Sequence, residues 1–353
     1  MGLAGLCAGV LAAADDAVLQ AVTDALGQAP LAPAVPQRAM LLSVTQAGTR
    51  LVAVGEHGVI TLSDDQGRHW RNARSGTDVT LTQVRFADAQ TGWAVGHLGL
   101  VLRTDDGGLT WQRQLDGQRL AALLLDQARA SGDAKALETA QRLAAEGADK
   151  PWLDLLVEGR DQIVLVGAFN LALRSDDGGR TWQDFAAQLP NPGGFHLYGV
   201  SRVGRELLLV GEQGLMLMGT PGQGFRKLPS VYEGTFFGAV ALTPRRLVVH
   251  GLRGTVFHSE DGGASWQPSK VAGATASFNT AVVLEGQRLV LGDQAGRLFL
   301  SADGGATFSA LPSGGPPITG AVALPDGGLM LSTLAGVLPV APKQLAATQN
   351  RPS

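Results

Sequence analysis

The side chains in this sequence that could do chemistry are dominated by one recurring carboxylate. Asp65, Asp106, Asp177, Asp261 and Asp303 each stand two residues after a Ser or Thr, and five residues before Trp70, Trp111, Trp182, Trp266 and Phe308. Two carboxylates flanking one bond can hydrolyse a glycoside, one as acid and the other as base or nucleophile. Five equivalent copies spread along a chain cannot all reach one substrate. The same spacing suits a structural task instead: the Asp accepts backbone N–H bonds inside a tight turn, and the glycine two residues on supplies the positive φ that such a turn needs. Those glycines are Gly67, Gly108, Gly179, Gly263 and Gly305. The Trp or Phe is then expected to plug the space between sheets.

Other chemistry is thin. A tyrosine nucleophile would have to be Tyr198 or Tyr232, and Glu233 beside Tyr232 points to the opposite side of an extended segment. Glu56, Glu212 and Asp293 could serve as glycosidase carboxylates, yet no spacing singles them out, and of Arg85, Arg103, Arg174, Arg253 and Arg297 several fall within strands two residues from an Asp box and read as blade-surface positions. The six histidines show no metal-ligand spacing and no phosphate-binding loop occurs, so no metal or cofactor is expected and no catalytic residue is assigned. Cys7 is the only cysteine, which excludes an intramolecular disulfide and a paired-cysteine metal site. A net charge of −3 offers no basic field for nucleic acid.

The carboxylates belong to a repeat. Trp70 and Trp111 are 41 residues apart, Trp182 follows after 71, and a decayed copy ending at Phe225 and two further copies ending at Trp266 and Phe308 follow at intervals of 43, 41 and 42. Upstream of each lies a glycine turn, at Gly55/Gly58, Gly96/Gly99, Gly167/Asn170, Gly211/Gly214, Gly251/Gly254, Gly292/Gly296 and Thr333/Gly336, which makes seven copies. Short apolar runs such as LVAVG, IVLVG and LLLVG between these marks read as strands. Four strands per repeat of about 41 residues is one propeller blade, so the chain is expected to be all-β, a seven-bladed β-propeller of four-stranded blades with Asp-box turns. The last copy has only three strands. Residues 31–40 are expected to add the fourth and close the ring, with Pro33 and Pro36 tolerated on an outer edge.

The long interval carries an insertion. Between residues 117 and 147 the apolar spacing becomes helical, at Leu120, Leu123, Leu124 and Ala128 and then Leu137, Ala140 and Ala144, broken at Gly132 and Asp133. A helical hairpin is expected there. At the start, Gly2 to Ala14 is an apolar stretch too short to span a bilayer but suited to a signal-peptide core, so residues 1–14 are read as a leader, 15–340 as the propeller and 341–353 as a tail. The mature protein is then periplasmic or otherwise exported, soluble and monomeric.

Strand order places the glycine turns and the inter-blade linkers, hairpin included, on one face, opposite the Asp boxes. The variable residues of those turns, Glu56, His57, His97, Phe169, Glu212, Arg253 and Asp293, together with Trp152, form the expected partner-binding face. Leu81, Trp152, Leu197, Phe236, Phe278 and Ile318 lead into the innermost strands beside Tyr198, Phe237 and Asn279, and are read first as inner core.

The repeat resembles the Asp box S/T-x-D-x-G-x-T/S-W of BNR-type propellers, which include sialidases and the photosystem II assembly and stability factors. The seven copies over residues 40–340 are most similar to the latter, in a non-photosynthetic bacterial branch. That resemblance implies a non-enzymatic exported scaffold that binds a protein partner, a membrane complex or its precursor, and aids assembly or function of such a complex or of an exporter. A sialidase-like glycoside hydrolase acting on a carbohydrate is the alternative.

Overall fold

The computed structural model describes residues 26, 27, 32–147 and 149–346. The expected leader at 1–14 with Cys7, and the end of the expected tail, lie outside the described residues. Middle strands carry uninterrupted apolar runs, which only a strand covered on both faces can bury. Leu51 to Gly55, Ile163 to Gly167 and Leu207 to Gly211 are accordingly buried at every position. Burying them on both sides requires neighbouring sheets, and the chain supplies seven, each packed on the next.

The chain is therefore a seven-bladed propeller. Blade 1 runs over residues 41–72, blade 2 over 81–115, blade 3 over 152–184, blade 4 over 197–227, blade 5 over 236–268, blade 6 over 278–310 and blade 7 over 318–340. Each is an antiparallel meander whose first strand lies innermost. Blade 6 gains a two-residue parallel strand, Lys270–Val271, beside its outer strand.

The ring closes without the expected extra strand. Blade 7 has three strands, and Pro36–Arg38 forms a 3-10 turn instead of pairing with its edge. Prolines explain this: Pro36 starts the turn, and Pro339 in the outer strand Gly336–Val340 offers no N–H to a neighbour. Residues 32–40 still cross the seam, with Asn72 Nδ2 donating to the Pro33 carbonyl at 3.1 Å. Closure itself is face-to-face packing. Met330 of blade 7 is fully buried against Leu41, Val44, Leu51 and Ala53 of blade 1, and Thr319 Oγ1 donates to the Leu41 carbonyl at 2.7 Å.

The insertion is two helices, α1 (Gly117–Ser131) and α2 (Ala134–Ala145), capped by Asp116 and Asp133 and separated by Gly132 in the left-handed conformation. Leu120, Leu124, Ala128, Ala140 and Leu143 are buried in one cluster with Leu115, Leu171 and Trp182. To reach Trp182, the hairpin leaves the glycine-turn face and folds down the rim between blades 2 and 3. Gln127 fixes it there, donating to the Trp182 carbonyl at 2.7 Å and accepting from the Asp184 N–H at 2.9 Å.

Candidate functional site

In all five intact Asp boxes the carboxylate is an internal fastener. In blade 3, Ser175 Oγ and the Thr181 N–H both donate to Asp177 Oδ1 at 2.9 Å, while Thr181 Oγ1 donates to Oδ2 at 2.7 Å. Ser175 Oγ in turn accepts the Gly179 N–H at 2.8 Å. Asp106, Asp261 and Asp303 repeat the pattern with Thr110, Ser265 and Thr307, and Asp65 does so with the His69 N–H and imidazole. The Thr181 N–H and hydroxyl hold the Asp177 carboxyl down at about 2, and the Ser265 hydroxyl and N–H hold Asp261 at about 2. At Asp106 and Asp303 partial burial pushes upward, but the same donors outweigh it. Trp111, Trp182, Trp266 and Phe308 are buried between sheets, whereas Trp70 is only half-buried.

On the opposite face, five successive glycine turns hold a non-glycine residue in the left-handed region, at His57, Leu98, Phe169, Gln213 and Arg253, with φ between 51 and 57°. Such strain is tolerated where a fold over-determines it and often accompanies function. It turns the side chain outward: His57, Phe169, Gln213 and Arg253 are exposed, as is His97 one position earlier, while Glu56 and Glu212 are half-buried. His57 Nδ1 lies 3.2 Å from Asp78, and burial pulls the His97 imidazole below its usual value against the opposing pull of Glu56.

Two members of the expected face are placed elsewhere. Trp152 is fully buried, its Nε1 donating to the Gly99 carbonyl at 3.0 Å, because its indole fills the gap between blades 2 and 3. Asp293 is also fully buried; it accepts the Ala295 and Arg297 N–H groups and pairs with the Arg297 guanidinium, closing its own turn. Leu81, Leu197, Phe236, Phe278 and Ile318 are buried core.

Every inner strand carries a β-bulge at its second residue: Leu42, Thr82, Leu153, Tyr198, Phe237, Asn279 and Thr319. A bulge re-aims the side chain it displaces. In three blades the re-aimed polar group ties the next blade: Thr82 donates to the Trp152 carbonyl, Asn279 to Ile318 and Thr319 to Leu41. Blades 4 and 5 carry aromatics there, and these extend a row across the face. Phe169 lies 4.7 Å from His196 between ring centroids, His196 lies 6.2 Å from Tyr198, and Tyr198 meets Phe237 edge-on at 5.3 Å.

The row has charged neighbours at Phe169 and at His196. Lys150 Nζ sits 5.3 Å over the Phe169 ring, balanced by Asp149 and Glu146. Glu212 Oε2 accepts the His196 N–H at 2.7 Å and lies 3.0 Å from its Nδ1, without the alignment of a hydrogen bond to that ring nitrogen. Burial and the Glu212 charge push the Tyr198 hydroxyl upward. Tyr198 and Phe237 form the lip of a central cavity of about 390 Å3. Its wall is polar on blades 1 to 3, where Arg85 NH1 donates to Gln83 and its NH2 lies 3.9 Å from Asp154, and on blades 4 to 7 it combines Arg202 with small residues such as Ser201, Gly238, Ala239, Gly320 and Ala321. His196 and Lys150 escape sequence reasoning because they lie in linkers. The matched repeat positions of Tyr198 and Phe237 were the available signal.

The family model described as Photosynthesis system II assembly factor YCF48 matches residues 62–135. The chain resembles the photosystem II assembly factors in sequence as well as in fold. The Photosystem II assembly lipoprotein Ycf48 of Synechococcus sp. (strain CC9902) is 30% identical over 115 residues, 32% of this chain and 34% of that protein. The chain thus matches about a third of the length of that curated relative. Among solved structures, YCF48 from Cyanidioschyzon merolae superposes with a TM-score of 0.67 at 14% identity, covering 90% of this chain and all of that one. YCF48 bound to D1 peptide gives 0.62 at 18% identity over 88% and 96% of the two chains. The WD40 propeller domain of Doa1 also gives 0.62, at 9% identity over 89% and 95%, so the backbone alone marks a propeller and not a family.

Proposed function

We propose that this chain is a non-enzymatic, exported propeller scaffold that binds a protein segment on its glycine-turn face, as part of the assembly or function of a membrane complex or an exporter. The observation that carries this is the row Phe169–His196–Tyr198–Phe237, which runs from the glycine turn of blade 3 to the channel lip with Phe169 40% exposed on a strained turn. Aromatic side chains supply large contact area at low entropic cost, which is why they concentrate where proteins bind. Two relatives support the reading: one is named as a photosystem II assembly lipoprotein, and one was solved bound to a D1 peptide. Export rests on the apolar opening Gly2 to Ala14; among the described residues no helix is long and apolar enough to cross a membrane. The five box acids are tied into their own turns, and Tyr232 donates its hydroxyl to the Leu252 carbonyl at 3.2 Å, so neither they nor Tyr232 favours the glycosidase alternative.

The test is affinity capture from envelope extracts with the full chain and with Phe169→Ala/Tyr198→Ala, against Arg180→Ala on the Asp-box face. Partners lost only with the first variant support the reading. Partners kept by it but lost with Arg180→Ala place the docking face on the wrong side.

A further inference from the structure

The aromatic row has a charge asymmetry that points to a feature of its partner. Around Phe169 the cation is already present: Lys150 covers that ring and is itself balanced by Asp149 and Glu146. One step along the row, at His196, the situation is reversed. Glu212 is one-third exposed, and its contacts are an N–H and an imidazole, both from His196. Tyr198 and Phe237, next along the row past His196, present ring surface at the mouth of the cavity, with no cation over either ring among the described residues. Arg85 and Arg202, the arginines that line the same cavity, are engaged, with Gln83 and Asp154 and with Glu158 respectively.

A carboxylate at the flank of an aromatic row that leads into a cavity mouth favours a cation on that row, because the ring quadrupole and the negative charge act in the same direction. Burial raises the Tyr198 hydroxyl, and the Glu212 charge adds to the rise. We infer that Glu212, Tyr198 and Phe237 form a reading site for one basic side chain, an arginine or lysine, of the bound protein segment. This rests on the proposed function and makes it specific. The basic group lies over the edge-on pair, its charge facing Glu212, while the rest of the segment runs outward along His196 and Phe169.

The experiment uses the full chain and a blocked pentapeptide of four glycines around one central arginine, with analogues carrying citrulline or glutamate at that place, followed by NMR titration. Citrulline keeps the shape of arginine and removes its charge. The expected result is that the arginine peptide shifts the resonances of Tyr198 and Phe237, binding at least about fivefold more tightly than the citrulline peptide, and that Glu212→Gln and Tyr198→Leu each remove most of that preference. Glu212→Gln keeps an oxygen for the His196 N–H, so its fold is retained. Equal binding of arginine and citrulline, shifts confined to other parts of the surface, or no binding of the arginine peptide overturns the inference. If envelope partners are still lost in Phe169→Ala/Tyr198→Ala but kept in Glu212→Gln, the docking face stands and only the basic-side-chain reading falls.

Discussion

At the scale of single residues, the same carboxylate chemistry that could have signalled catalysis is used for fastening. The distinction is visible in where the oxygens go: each box acid accepts the N–H of the residue four places on, and in blades 2, 3, 5 and 6 its hydroxyl as well. Asp177 and Asp261, held at about 2, have folded-state values below the unfolded value. Their contribution is therefore present above about pH 4 and fades as pH falls toward 2. Asp106→Asn should cost about 1 kcal/mol at neutral pH and leave less stability to lose on acidification; denaturation midpoints against pH check it, and an unchanged acid limb counts against the fastening role. His250 works in another window. Burial lowers its imidazole to about 4, with Nδ1 bonded to the Phe278 carbonyl at 3.0 Å. The unfolded chain takes up that proton near 6.5, so stability should decline as pH drops from 6.5 to 4, by on the order of 3 kcal/mol from this group. His250→Gln should flatten the profile over that interval; an identical slope in the variant would show that the decline has another source.

At the scale of elements, the blades were legible in the sequence and the joints were not. Buried two-sided strands leave uninterrupted apolar runs and each Asp box leaves its spacing, so blade number and the helices over 117–147 could be read directly. The seam could not, because whether residues 32–40 pair or turn is decided by prolines on both sides and by Met330, which is distant in sequence. Likewise Asp293 looks like a turn-face ligand until Arg297 is seen to neutralise it underneath. Since Met330 is fully buried in the seam, Met330→Ala should cost about 2–4 kcal/mol. Chemical denaturation measures this, and a loss below 1 kcal/mol would move the closing energy elsewhere. The hairpin buries its apolar stripe on the rim and leaves a polar outer surface. Replacing residues 117–147 by a short glycine linker should therefore raise hydrogen exchange in Gln112–Leu115 and Gln183–Asp184, which it shields, while blades 5 to 7 stay protected. Exchange unchanged in those two strands would show that the hairpin shields neither.

At the scale of the whole molecule, a wheel of seven sheets has two unlike faces. One is laced by Asp boxes and by arginines that reach across blades, such as Arg50 to the Gly107 carbonyl and Arg103 to Gly178. The other carries the outward-turned residues of the glycine turns and the aromatic row. The account depends on the second face being the one that meets a protein. A photo-crosslinking residue placed at 169 or 237, and in parallel at 180 on the Asp-box face, tests this in intact cells. Adducts of defined mass from positions 169 and 237, and none from 180, are the predicted result; adducts from 180 with none from the other two would contradict it.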